Sequence, residues 1–120
     1  MSESKVLNEV RLKASAAGWR LFRNNSGAGK LENGSFVRWG LANDSSHSQH
    51  ASADLIGIKP VVVTQEMVGT TIGVFASVEV KTEGWKLRKN DPHEQRQRNW
   101  QELVRSLGGY AIFSTGELEE

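Results

Sequence analysis

Gly73-Val74-Phe75-Ala76-Ser77-Val78-Glu79-Val80-Lys81 is the stretch that decides the fold. Its length and its β-branched and aromatic content predict a strand. Glu79 and Lys81 stand two positions apart, so their side chains leave the same face, and Val80 is expected to point the other way into the core. Charges beside a core strand are costly unless they are paired or used.

On the C-terminal side, Asp91-Pro92 supplies a capping residue followed by proline at the first helical position. Trp100, Leu103, Val104 and Leu107 then recur at helical spacing, and Gly108-Gly109 ends the helix before a short buried strand, Tyr110-Ala111-Ile112-Phe113. The acidic end, Glu117 to Glu120, is expected to fray.

On the N-terminal side, Asp54-Leu55-Ile56-Gly57-Ile58 is a second apolar run of strand length, and consecutive strands of this kind are expected to pair antiparallel. If this strand lies beside the first, Asp54, Glu79 and Lys81 converge. Val6, Leu7, Val10, Ala14 and Ala17 predict a helix from about residue 3 to 17, with Ser2 or Ser4 as cap and Gly18 as terminator. Trp19 to Arg23 alternates like a half-buried strand that ends in the turn-forming Asn24-Asn25-Ser26-Gly27. Asn33-Gly34 predicts a hairpin with a two-residue turn, and Leu41 to Ala53 reads as a polar surface loop. The order is α-β, hairpin, β-β, α-β: an α/β fold with a small mixed central sheet flanked by helices, spanning residues 1–120 as one domain.

At 120 residues the chain has room for one core, so no separate substrate domain is expected. Hydrophobic residues at 38% and charged residues at 24% exclude disordered and fibrous classes. The absence of cysteine excludes disulfides and thiolate-bound zinc. With no leader-like N-terminus and no apolar run long enough to span a membrane, a cytoplasmic location is expected. The net charge is +1, which alone says nothing for nucleic acid. Between Lys81 and Arg105, seven basic residues face four acidic ones, a modest excess that also fits a solvated mixed-charge face.

Two carboxylates and a lysine on adjoining strands suit a hard divalent cation. Carboxylate oxygens of Asp54 and Glu79 and a backbone carbonyl such as that of Val80 can hold Mg²⁺ or Mn²⁺. The Lys81 ammonium can then orient a water or stabilise charge on a phosphoryl oxygen. The plainer alternative is a surface ion pair between Glu79 and Lys81. His47, His50 and His93 read as surface histidines, since His47 and His50 give only two candidate zinc ligands. Trp100 reads as core, and Trp85, between Gly84 and Lys86, is the tryptophan placed to stack on a base. Lys86, Arg88, Lys89, Arg96 and Arg98 follow the proposed site and are candidate phosphate contacts, as are Arg23, Asn25 and Ser26 from the glycine loop.

Asp54 within Ser52-Ala53-Asp54-Leu55-Ile56-Gly57, followed by Glu79-Val80-Lys81, resembles the PD-(D/E)xK nuclease superfamily, and specifically its VRR-NUC branch. The likeness extends to Glu9 on the N-terminal helix, to Arg23-Asn24-Asn25-Ser26-Gly27, and to Gln97 with Gly108-Gly109, in the same order along nearly the whole chain. Ala53 stands where the superfamily has proline, a departure common in that branch. The resemblance implies a restriction-endonuclease-like core and a Mg²⁺- or Mn²⁺-dependent endonuclease, with Glu9 and Gln97 supporting Asp54, Glu79 and Lys81. It also implies a homodimer acting on branched or four-way-junction DNA, in a bacterial or infected-host cytoplasm. The rival classes are a non-catalytic nucleic-acid-binding module and an ordinary α/β interaction protein.

Overall fold

A computed structural model describes residues 2–45, 47 and 49–118. Glu119 and Glu120, part of the acidic end expected to fray, lie outside the described residues. The chain is mixed α/β and divides into two compact units, Met1–Gly57 and Ile58–Glu120.

In the first unit, helix α1 (Glu3–Ala16) starts where Ser2 accepts a hydrogen bond from the Lys5 N–H and ends before Gly18. Strand β1 (Arg20–Arg23) pairs with β4 (Leu55–Ile58), the strand on which the chain passes into the second unit. The approach is close. A Cβ built on Gly57 would stand 1.9 Å from the Arg20 carbonyl oxygen, so only glycine fits there.

Strands β2 (Gly27–Lys30) and β3 (Phe36–Trp39) form the expected antiparallel hairpin, with Lys30 opposite Phe36. The Leu31 N–H donates to the Ser35 carbonyl at 2.8 Å, so the turn is the three residues Glu32-Asn33-Gly34 rather than two. A two-residue type I′ turn needs positive φ at both central positions, whereas here Gly34 takes φ 85° and Asn33 stays out of that region. Asn33 instead uses its side-chain oxygen to accept from the Ser35 N–H, at 3.0 Å. The expected two-residue turn is therefore replaced by a wider loop.

In the second unit, residues 59–64 form no strand and lead into a 3₁₀ turn at Gln65–Met67. Strand β5 (Ala76–Val80), helix α2 (Pro92–Ser106) and strand β6 (Tyr110–Ser114) follow. Asp91 caps α2 by accepting from the N–H groups of His93 and Glu94, as the Asp91-Pro92 pair predicts. β5 and β6 are parallel, with Glu79 opposite Phe113, and α2 is the crossover between them. The expected antiparallel pairing of consecutive strands fails here: β4 pairs with β1, and β5 with the strand beyond the helix. A parallel pair needs a crossover of a dozen or more residues, and α2 supplies it. The strands among the described residues form three two-stranded sheets rather than one central sheet.

The buried apolar cluster of the second unit is small: Ile58, Val104 and Ala111, with Phe75, Trp100 and Leu107 packed against it. Polar side chains take up the remaining interior positions. Glu94 and Gln101 are buried, and every buried side-chain polar atom among the described residues is hydrogen-bonded. No helix among the described residues is long and apolar enough to cross a membrane.

Candidate functional site

The alternation along β5 holds, but with the faces reversed. Ser77, Glu79 and, just beyond the strand, Lys81 are half-buried, while Val78 and Val80 are 41% and 72% exposed. Val80 therefore does not enter the core as expected. The reason lies in α2, which packs on the polar face of β5 through side-chain amides and an indole. Trp100 Nε1 donates to Ser77 Oγ at 2.9 Å, Ser77 Oγ donates to Gln101 Oε1 at 2.6 Å, and Gln101 Nε2 donates to the Ile112 carbonyl at 2.5 Å.

The same helix face reaches the charged pair. Lys81 Nζ donates to Gln97 Oε1 at 2.7 Å, and Gln97 Nε2 donates to Glu79 Oε1 at 2.5 Å. The direct Lys81–Glu79 separation is 3.8 Å. One amide thus bridges an ammonium and a carboxylate, fixing both ends with complementary donor and acceptor. Lys81 is further held over the Trp85 ring, 5.5 Å from its centroid, with its side chain only 15% exposed.

Trp85 has a different task from base stacking. It stacks on Phe113 at 5.1 Å, and its Nε1 donates to the buried Glu94 carboxylate at 2.9 Å. Glu94 also accepts from the Arg88 backbone N–H at 2.8 Å and from its guanidinium. The Trp85 indole, then the Arg88 N–H, hold the Glu94 carboxyl well below the usual range, at about 2, and Glu94 in turn raises the Arg88 guanidinium. Sequence reasoning missed Glu94 because a glutamate in a first helical turn is ordinarily exposed. Its place one turn before Gln97 and two turns before Gln101, on the stripe that includes Trp100, was the available signal.

Among the phosphate candidates, Arg88 is ion-paired with Asp91 and Glu94, and Arg98 with Glu102. Lys86, Lys89 and Arg96 are exposed and make no ion pair among the described residues. In the first unit, Glu9 is exposed on α1, and Arg23, Asn25 and Ser26 are exposed around the end of β1. Asp54 is exposed on the bend before β4. Asn24 fixes the backbone there. Its N–H donates to the Asp54 carbonyl at 2.9 Å, and its side-chain amide donates to Ser52 Oγ at 2.8 Å and the Ala53 carbonyl at 2.9 Å. In the sequence this positioning residue stands out only as part of a turn.

The donors of the second unit fit a hard cation in part. Glu79 has one carboxylate oxygen without a hydrogen bond among the described residues, and its side chain is 37% exposed. The bonds Tyr110 N–H to Phe75 O and Lys81 N–H to Ser114 O show that the ladder uses residues 77, 79 and 81 of this strand. The Val80 carbonyl therefore points away from β6. No group of three or more His, Asp or Glu is gathered among the described residues. A scan against protein-family models and searches of curated proteins and of solved structures gave no match.

Proposed function

We propose that this chain is a Mg²⁺- or Mn²⁺-dependent deoxyribonuclease with a restriction-endonuclease-like core, acting on branched or four-way-junction DNA as a homodimer. The observation that carries the proposal is the Gln97 bridge, which holds Glu79 and Lys81 together on the helix-covered face of one strand. Glu79 and the Val80 carbonyl would hold the cation, and the sequence pattern adds Asp54 to that set. When bound, the cation would polarise the scissile phosphate and lower the pKa of a water.

The protein's own residues supply the rest. Lys81 gives one ammonium proton to Gln97 and has others for a water or a phosphoryl oxygen, so it can orient the first or stabilise charge on the second. Its low exposure and its seat over Trp85 limit the rotamers it can take, which favours a preorganised donor. Gln97 is a positioning residue, and the resemblance to VRR-NUC nucleases implies a supporting part for Glu9. Arg23, Asn25, Ser26, Lys86, Arg88, Lys89, Arg96 and Arg98 are the proposed backbone contacts.

The bridged pair also suits a metal-free nucleic-acid-binding module, because Gln97 already satisfies both charges. Labelled duplex, flap and four-way-junction DNA, each incubated with Mg²⁺, Mn²⁺ or EDTA, separates the two. Cutting that requires a metal, and that Asp54→Ala removes while DNA binding persists, supports the nuclease. Binding without cutting on every substrate favours the module.

A further inference from the structure

Helix α2 presents His93, Arg96, Gln97 and Trp100 at i, i+3, i+4 and i+7, a single helical face. These residues, with Glu79 and Gln101, line an open cleft of about 400 Å³. The cleft lies beside the bridged carboxylate, and five of its six lining residues carry polar or charged groups beside the indole of Trp100.

The guanidinium in this cleft differs from its neighbours. Arg88 is paired with Asp91 and Glu94, Arg98 with Glu102, and Arg105 donates to the Ala111 carbonyl. Arg96 has no such partner among the described residues. Neither has the side chain of His93, an exposed residue one turn earlier. Gln97, between them and the strand, is committed to Glu79 and Lys81. The cleft thus offers a guanidinium fork and an imidazole N–H next to the carboxylate proposed to hold the cation. An anion entering it meets the negative charge of Glu79, and Arg96 is placed to offset that repulsion.

Resting on the reading of the chain as a DNA-cleaving protein, we propose that Arg96 and His93 form a phosphate subsite of this cleft and hold a backbone phosphate of the substrate beside Glu79. Arg96 binds two phosphate oxygens through its fork, and the imidazole donates to a third.

The test measures binding of a short labelled four-way DNA junction in EDTA across a salt series, for the full-length wild type, Arg96→Gln, His93→Ala, His93→Gln and Arg11→Gln. The last removes one positive charge from α1. Losing one phosphate contact lowers the slope of log affinity against log salt by about 0.9. Arg96→Gln is expected to show that loss, with about tenfold weaker binding at low salt. His93→Ala weakens binding several-fold, and His93→Gln, which keeps a side-chain N–H donor, restores most of it. Arg11→Gln leaves the slope unchanged. If Arg96→Gln behaves like Arg11→Gln in a protein that does bind DNA, the subsite is wrong and the nuclease reading survives. If the wild type binds no junction at low salt, both fall together.

Discussion

Gln101→Leu tests how the second unit holds α2 against β5. Gln101 is 1% exposed, accepts from Ser77 Oγ, and donates to the carbonyls of Ile112 and Ser77. By the register of the parallel ladder, both carbonyls keep their strand bonds when the amide is lost. The Ser77 hydroxyl proton does not keep its acceptor. Leaving the half-buried Ser77 hydroxyl proton unsatisfied under α2 costs about 1–3 kcal/mol, and the amide bonds add about 1 kcal/mol net. The expected loss is about 2–4 kcal/mol, which at a urea m-value of about 2 kcal/mol/M moves the midpoint down by about 1–2 M. Removing both partners relieves the orphaned hydroxyl, so the Ser77→Ala/Gln101→Leu double variant should be more stable than the sum of the single changes predicts, by about 1 kcal/mol or more. Urea denaturation followed by circular dichroism measures all four proteins. A Gln101→Leu midpoint within about 0.2 M of wild type, or strict additivity in the cycle, would refute the assignment of Gln101 as a buried anchor.

Three further outcomes are expected. Gly57→Ala sets a Cβ against the Arg20 carbonyl oxygen and should destabilise the β1–β4 pair by about 3 kcal/mol, at the upper end for overpacking; a urea midpoint equal to wild type would show the strands are not that close. Glu94 has a folded pKa of about 2 against an ordinary 4.5, so its ionised form favours folding, fully above about pH 5 and progressively less as pH falls toward 2. Glu94→Gln should therefore be less stable at pH 7 and lose less stability on acidification than wild type, and parallel pH profiles would count against the Trp85–Glu94–Arg88 clamp. Gln97→Leu removes the bridge and should lower kcat for DNA cleavage by about a hundredfold with little change in KM; unchanged cleavage by a folded variant would take Gln97 out of the site.

Local signals were legible wherever one residue decides one backbone event. Ser2, Asp91-Pro92 and Gly18 mark helix ends, and α1 and α2 begin and end within a residue or two of the expected positions. Tertiary choices were less so. Whether Asp54-Leu55-Ile56-Gly57-Ile58 pairs with its successor in sequence or with β1 depends on Gly57 admitting the Arg20 backbone, a fact invisible in hydropathy. The facing of β5 was misread for a related reason. Valine is ordinarily the buried partner of glutamate on a strand, yet α2 brings glutamines, not leucines, to the sheet, and amides bond Ser77, Glu79 and Lys81. The spacing of Glu79 and Lys81 came from the sequence and Gln97 from the resemblance, and the structure brings these three together. Gln101 and Asn24 were not legible as anchors, because nothing in a polar residue's identity announces that it is buried or bonded, and for Glu94 only its place on the Gln97–Gln101 stripe gave a signal.

Lys81, held by Gln97 beside Glu79, is proposed to take part in cutting DNA. Wild type and Lys81→Ala, purified identically and shown by circular dichroism to be equally folded, should be compared on four-way-junction DNA with Mn²⁺. Cutting by the wild type that falls by at least about a hundredfold in Lys81→Ala is the expected result; equal cutting by the two proteins, or none by either on any DNA with either metal, would contradict it.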